Sequence, residues 1–236
     1  MKIMHAAALL SFVAMPALAQ TVKVTPVGSH PGELCANDRA IIFEDPTGVR
    51  ILYDAAHNVT GGDDPRLGDI HLVLLTHMHG DHLGDQKLKA PGAGSCANSG
   101  RVPAPNSTTA EVVAEKNAAL VTTRAMAGFI SHKVAGIRGK PLPVCPTPGG
   151  TTTVPVKAAC TSRIDLGGVF NAKAEGASKS VEITIVYASH VNNAPPGTVV
   201  AVGACGDQGG RWYRGIRTGN RLCRQVHQRS GGLPVR

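Results

Sequence analysis

Beyond its first twenty residues the chain has no apolar run approaching the ~20 residues a membrane helix needs, so nothing there reads as a membrane span. None of the six cysteines forms a C-x-x-C pair. Gln20, not a cysteine, stands directly after the small-x-small stretch Ala17-Leu18-Ala19, so a lipoprotein is not indicated. Acidic residues all but vanish near the C-terminus. Residues 191–236 carry seven Arg, no Lys and only Asp207, a net +6, leaving +2 of the total +8 for the other 190 residues. The basic excess is thus confined to the tail, which argues against a nucleic-acid-binding body.

Lys2, the apolar run 6–14 and Ala17-Leu18-Ala19 before Gln20 read as a secretory signal peptide, residues 1–19. The rest of the 236 residues suits one domain. Export, to a periplasm or beyond, makes the cysteines disulfide candidates. Cys35, Cys96, Cys145 and Cys160 allow three pairings, and the sequence does not choose among them. Cys35–Cys96 with Cys145–Cys160 is the working pairing, with free buried thiols as the alternative.

The chemistry concentrates in Thr76-His77-Met78-His79-Gly80-Asp81-His82-Leu83-Gly84-Asp85. Three imidazoles and a carboxylate fall within six residues, after an apolar run, 70–75, that reads as a buried strand interrupted only by His71. Imidazole and carboxylate are ligands for zinc and similar borderline metals. A turn eased by Gly80 would let them converge. The spacing outlines two ions, with His77 and His79 on one, Asp81 and His82 on the other. Such a pair can activate water and clamp a carbonyl or phosphoryl oxygen. The plainer alternative is a His-rich surface turn; Asp81-His82 is what separates this motif from a lone His-x-His.

At these residues the chain resembles the metallo-β-lactamase-fold hydrolase superfamily, and more narrowly a secreted bacterial branch of it. Supporting stretches are Ile51-Leu52-Tyr53-Asp54-Ala55, Gly68-Asp69-Ile70, Lys89-Ala90-Pro91 and Ala188-Ser189-His190. The resemblance covers residues 22–193. It implies an α/β fold, the αββα four-layer sandwich, here incomplete. It also implies a hydrolase using one or two zinc ions, with iron or manganese as other options, on a small-molecule ester, lactone, β-lactam or phosphoester. His77, His79 and His190 would hold one ion; Asp81 and His82 would help hold the second, and Asp81 would orient the nucleophile. A carboxylate at Asp54 would lie under the site and orient ligands, because a metal-bound His needs an acceptor for its other ring nitrogen. Asp54 reads equally well as a helix N-cap or turn residue.

Along the chain, strands are expected over 22–27, 40–44 and 49–53, the last two around the hairpin turn Asp45-Pro46-Thr47-Gly48. Residues 90–106 read as a long irregular loop forming a wall of the substrate pocket. Thr108-x-x-Glu111 fits a capping box opening a helix to about residue 118. A short strand follows at 120–122, then a second, shorter helix at 124–134 with His132 on its surface, and a loop over 136–150. Residues 151–159 and 163–170 read as strands or strand-loop segments around Cys160. Val181, Ile183, Ile185 and Tyr187 alternate along a strand that delivers His190 at its end. The plainer reading of His190 is a surface residue.

After residue 193 periodicity disappears, and 194–236 form an Arg/Gly-rich atypical tail with nine Gly in the last 46 residues. Val199-Val200-Ala201-Val202 before Gly206-Asp207 is a faint match to the bridging-Asp segment of the resembled fold, and His227 a fainter one to its late His. The preferred explanation is an out-of-frame reading of a GC-rich gene. The alternatives are an Arg-rich extension for anionic partners, with Trp212 and Tyr213 stacking on bases, and a divergent folded subdomain. Losing the second half of the sandwich would expose several hundred Å² of sheet, costing on the order of 10 kcal/mol at ~25 cal/mol per Å². Two further functions therefore stand beside the hydrolase: an inactive metal-binding remnant, and an anion-binding protein acting through the tail. No nucleic-acid partner is expected of the body.

Overall fold

The computed structural model describes residues 21–186, apart from Glu33 and Ser99. The leader, His190, Asp207, His227 and the tail lie outside the described residues.

Strands β1 (Lys23–Pro26), β2 (Ile41–Glu44) and β3 (Arg50–Tyr53) form an antiparallel meander. The β2–β3 turn forms as its sequence predicts. Asp45 Oδ1 accepts from the Thr47 amide at 2.8 Å, and Gly48 takes φ +88°, a left-handed conformation that favours glycine. From β3 onward the sheet is parallel, continuing through β4 (Leu72–Leu74), β7 (Ala119–Val121) and β9 (Cys160–Thr161). Its order is β1-β2-β3-β4-β7-β9. Between β4 and β7 lie the one-turn helix α1 (Gly80–Leu83), the strands β5 (Gln86–Leu88) and β6 (Arg101–Pro103), and the helix α2 (Thr108–Glu115). Helix α3 (Arg124–Arg138) follows β7, and a strand of the second sheet intervenes before β9. The strands β8 (Thr151–Val154), β10 (Val169–Ala174) and β11 (Val181–Thr184) make a second sheet, ordered β11-β10-β8.

Successive side chains of a strand point to opposite faces, and this sorts the core into two layers. Ile42, Leu52, Val73 and Leu120 face one way, packing with Val112 and Val113 of α2 and Ile130 and Val134 of α3. Their neighbours Ile51, Leu72, Ala119 and Val121 face the other way, packing with Val154, Phe170 and Ala172 of the second sheet. The described residues thus build an α/β arrangement of three layers: helices, mixed sheet, small sheet. Among the described residues the large sheet's second face carries this small sheet as cover. Cover thins outward, however: Val181 and Ile183 on β11 are only half-buried, and Val186 beyond it is 73% exposed.

Several expectations need correction. Residues 90–106 are not wholly irregular, because β6 folds back on β5 as an antiparallel ribbon. The N-cap of α2 is Ser107, whose side chain accepts from the Ala110 amide. Glu111 is therefore out of register for a capping box and instead pairs with Lys87 at 2.7 Å. The Thr108 and Thr109 hydroxyls donate to the Ala56 and Leu83 carbonyls. Helix α3 is the longer of the two main helices and ends at Arg138, inside the expected loop, with Gly139 as a left-handed C-cap. Of the strand or strand-loop segment expected at 163–170, the strand part begins at Val169. His132 is exposed, as expected. The disulfides are Cys35–Cys96 and Cys145–Cys160, the working pairing.

Candidate metal centre

The parallel strands β3 and β4 end side by side, and the chemistry sits at their C-terminal ends. Asp54 follows β3 directly and is fully buried. Its backbone has φ +47°, a left-handed conformation uncommon outside glycine, Asn and Asp. Its amide donates to the Leu74 carbonyl at 2.9 Å, fastening it to β4. This geometry turns the carboxylate toward the motif.

Three hydrogen bonds converge on that carboxylate. Oδ1 accepts from the Thr76 amide at 2.9 Å; Oδ2 accepts from the Thr76 hydroxyl at 2.8 Å and from His82 Nδ1 at 2.7 Å. A carboxylate can only accept, so His82 carries its proton on Nδ1 and presents the Nε2 lone pair outward. The Thr76 hydroxyl, having given its proton to Asp54, has lone pairs left for His77 Nδ1, 3.0 Å away. His77 is thereby assigned the same tautomer. Asp54 is neither an N-cap nor a plain turn residue. It orients two imidazoles, one directly and one through Thr76.

The motif's rings are close. The His77 ring centre lies 4.0 Å from that of His82 and 4.7 Å from that of His79. Asp81 Oδ2 stands 3.7 Å from His82 Nε2. Two first-row ligand atoms on one tetrahedral zinc stand ~3.4 Å apart, so this pair is close to the separation of co-ligands. Burial pushes the Asp81 carboxyl pKa up. The charge that His82 takes on when protonated, and the hydrogen bond and charge of Arg39, outweigh that and hold it below the ordinary carboxylate value. Arg39 Nε lies 3.3 Å from Asp81 Oδ2.

Close packing fixes the turn carrying these groups. Gly84 is the left-handed C-cap of α1 at φ +78°, and a Cβ there would overlap the Thr108 hydroxyl and the Ala56 carbonyl. A Cβ on Gly80 would meet both Asp85 carboxylate oxygens at 2.6 Å. Asp85 also binds His57 Nε2 at 2.5 Å, while His57 Nδ1 is buried without a hydrogen-bond partner among the described residues.

The structure therefore brings together His77, His79, Asp81 and His82, with Asp54 and Thr76 behind them. The fifth expected ligand, His190, lies outside the described residues. Arg39, His57 and Asp85 were not anticipated as site residues. Asp85 closes the motif stretch and His57 follows Asp54 by three positions, which was the available signal; Arg39 arrives from the loop before β2 with none. The tightest trio of metal-donor atoms among the described residues lies elsewhere. His30, Cys35 and Cys96 place theirs within 4.8 Å of one another, although the two cysteines are joined in a disulfide. No helix among the described residues is long and apolar enough to cross a membrane. Comparison with protein-family models, with curated proteins and with solved structures finds no match for this chain.

Proposed function

We propose that the chain is an exported, metal-dependent hydrolase of the metallo-β-lactamase fold, with zinc as the preferred ion. The observation that carries this reading is the buried Asp54 carboxylate, which holds His82 directly and His77 through Thr76, each by Nδ1, leaving Nε2 as the nitrogen that would ligate. Orienting a metal-bound imidazole through its far nitrogen is the usual second layer of such sites. A solvated His-rich turn has no need of a buried acceptor beneath it. The order of layers, helices on a mixed sheet on a second sheet, supports the fold as far as residue 186. Two disulfides support export, since such bonds persist in oxidising compartments.

In this reading His77 and His79, completed by His190, hold one ion, and Asp81 with His82 hold a second. Bound metal would supply a water acidic enough to attack near neutral pH. Asp54 and Thr76 keep the imidazoles in the ligating tautomer. Asp81 supplies a carboxylate that Arg39 helps keep ionised, and it would orient the nucleophile. Gly80 and Gly84 let the turn close against Asp85 and Thr108. Fold does not set substrate, so esters, lactones, β-lactams and phosphoesters all remain within the proposal.

The test is metal content of the purified full chain beside His79→Ala, followed by a hydrolysis panel over those four classes. One or two zinc per wild-type chain, lost in the variant, is the expected result. Equal metal in both proteins, or none in the wild type, would overturn the assignment.

A further inference from the structure

We propose that the Cys35–Cys96 disulfide is the locked form of a second metal site, a Cys2His centre with His30 that assembles only on reduction. The site is separate from the motif and does not rest on the hydrolase reading. His30 Nε2 already stands 3.3 Å from Cys96 Sγ. Nitrogen and sulfur ligands on one tetrahedral zinc stand ~3.6 Å apart, so little movement is required of this pair. The donors of His30, Cys35 and Cys96 all lie within 4.8 Å of one another, with His30 and Cys35 half-buried and Cys96 exposed.

The loop is built to keep two of these donors in place without the disulfide. Asp38, its side chain 1% exposed, accepts from the Ser29 amide at 2.8 Å, from the Ser29 hydroxyl, and from the Cys35 amide at 3.0 Å. The Asp38 amide returns a bond to the Cys35 carbonyl at 2.9 Å. One carboxylate thus pins the residue before His30 and the backbone of Cys35. Exposure of Cys96 admits a reductant. A dithiol reductant delivers two electrons and two protons to the S–S bond, giving two thiols and leaving as a cyclic disulfide. Binding of a divalent ion then expels both thiol protons and forms two metal–thiolate bonds plus one to His30 Nε2. Three protein ligands leave a fourth position open. The class of ligand is a borderline or soft cation such as zinc.

The experiment titrates cobalt(II) into the full chain, oxidised or reduced with a phosphine, which avoids a metal-chelating dithiol. The readout is the near-ultraviolet thiolate-to-cobalt charge-transfer band, which a nitrogen and oxygen site such as the motif does not produce. The reduced chain should gain the band with one equivalent of cobalt, and the oxidised chain should not. Cys35→Ser or Cys96→Ser should abolish it. His30→Ala, which leaves the disulfide intact for folding, should weaken cobalt binding after reduction by about tenfold or more. No band on reduction overturns the proposal, as does a band in the oxidised chain. So does a band that survives either serine variant, which would come from other thiols. An unchanged affinity in His30→Ala excludes the imidazole and with it the Cys2His assignment.

Discussion

Asp54→Asn separates the two roles a buried residue at this position could have. Asparagine tolerates the left-handed backbone that Asp54 adopts, so the substitution need not disturb the chain path. Its carbonyl can still accept from the Thr76 amide. Its NH2 then faces the Thr76 hydroxyl, which is near the surface and can turn its proton to water. His82 has no such escape, because an Nδ1–H cannot sit 2.7 Å from an N–H donor. The ring must move its proton to Nε2, the atom that would bind metal. Loss of one hydrogen bond to a charged group costs about 1.5–3 kcal/mol. At 2–4 °C per kcal/mol for a chain of this size, the metal-free melting temperature should fall by roughly 3–12 °C. Zinc affinity should fall by roughly 10–100-fold, the usual cost of losing an outer-shell partner. Thermal melts of metal-stripped protein and competition against a chromophoric chelator measure the two effects independently. If the melting temperature falls while zinc affinity stays within about twofold, Asp54 serves the fold alone and the reasoning about tautomers is wrong.

Gly84→Ala forces a Cβ into the Thr108 hydroxyl and the Ala56 carbonyl at a left-handed backbone position; about 2–4 kcal/mol of stability should be lost in urea denaturation, and a near-native midpoint would contradict the packing. Asp64 is buried, which raises its pKa, but hydrogen bonds from Arg66 and Thr60 outweigh this and hold it below its ordinary 3.8. Its stabilising contribution is therefore complete above that ordinary value and lost as pH falls through the lower folded value. Asp64→Asn should cost about 2 kcal/mol at pH 7, discounted because Arg66 is partly solvated, and the gap to wild type should narrow in denaturation series taken below pH ~3.5. His71 is pushed below its ordinary 6.5 mainly by burial, and its Nδ1 accepts from the Arg50 amide. The neutral ring is thus the native form, and its contribution should fade as pH drops below 6.5; His71→Gln should flatten the unfolding midpoint between about pH 7 and 5. Serine at both Cys145 and Cys160, 15 residues apart and both buried, should cost about 3 kcal/mol in the same assay.

What could be read from the sequence divides along physical lines. The β2–β3 hairpin was legible because Asp45 and Gly48 dictate a turn locally, and β4 because residues 70–75 form one apolar run. The four motif donors were legible because six consecutive residues carry them. The N-cap of α2 was misplaced because Ser107 and Thr108 are both good caps, and only packing of the Thr108 hydroxyl on Ala56 decides between them. The extent of α3 was underestimated because Gly128 and Gly136 weaken local helix propensity, while burial of Ala127, Ile130 and Val134 against the sheet overrides it. The β5–β6 ribbon has no hydrophobic alternation to announce it. Asp54's role depends on Thr76 and His82, residues distant in the chain, and no local pattern could choose between orienting a ligand and making a turn.

The Asp54–His82 hydrogen bond closes a loop of only 28 residues, whereas the next ladders of the same sheet join Leu72 to Ala119 and Ala119 to Cys160. Closure entropy grows with loop length, so the donor turn is the less costly of these to form. Synthesis also delivers it first. The donor cluster can thus be in place while the strands that will flank it are still seeking their partners. Under the proposed metal-binding reading, a divalent ion present during refolding should then raise the folding rate as well as the final melting temperature, which the refolding yield with and without metal would show.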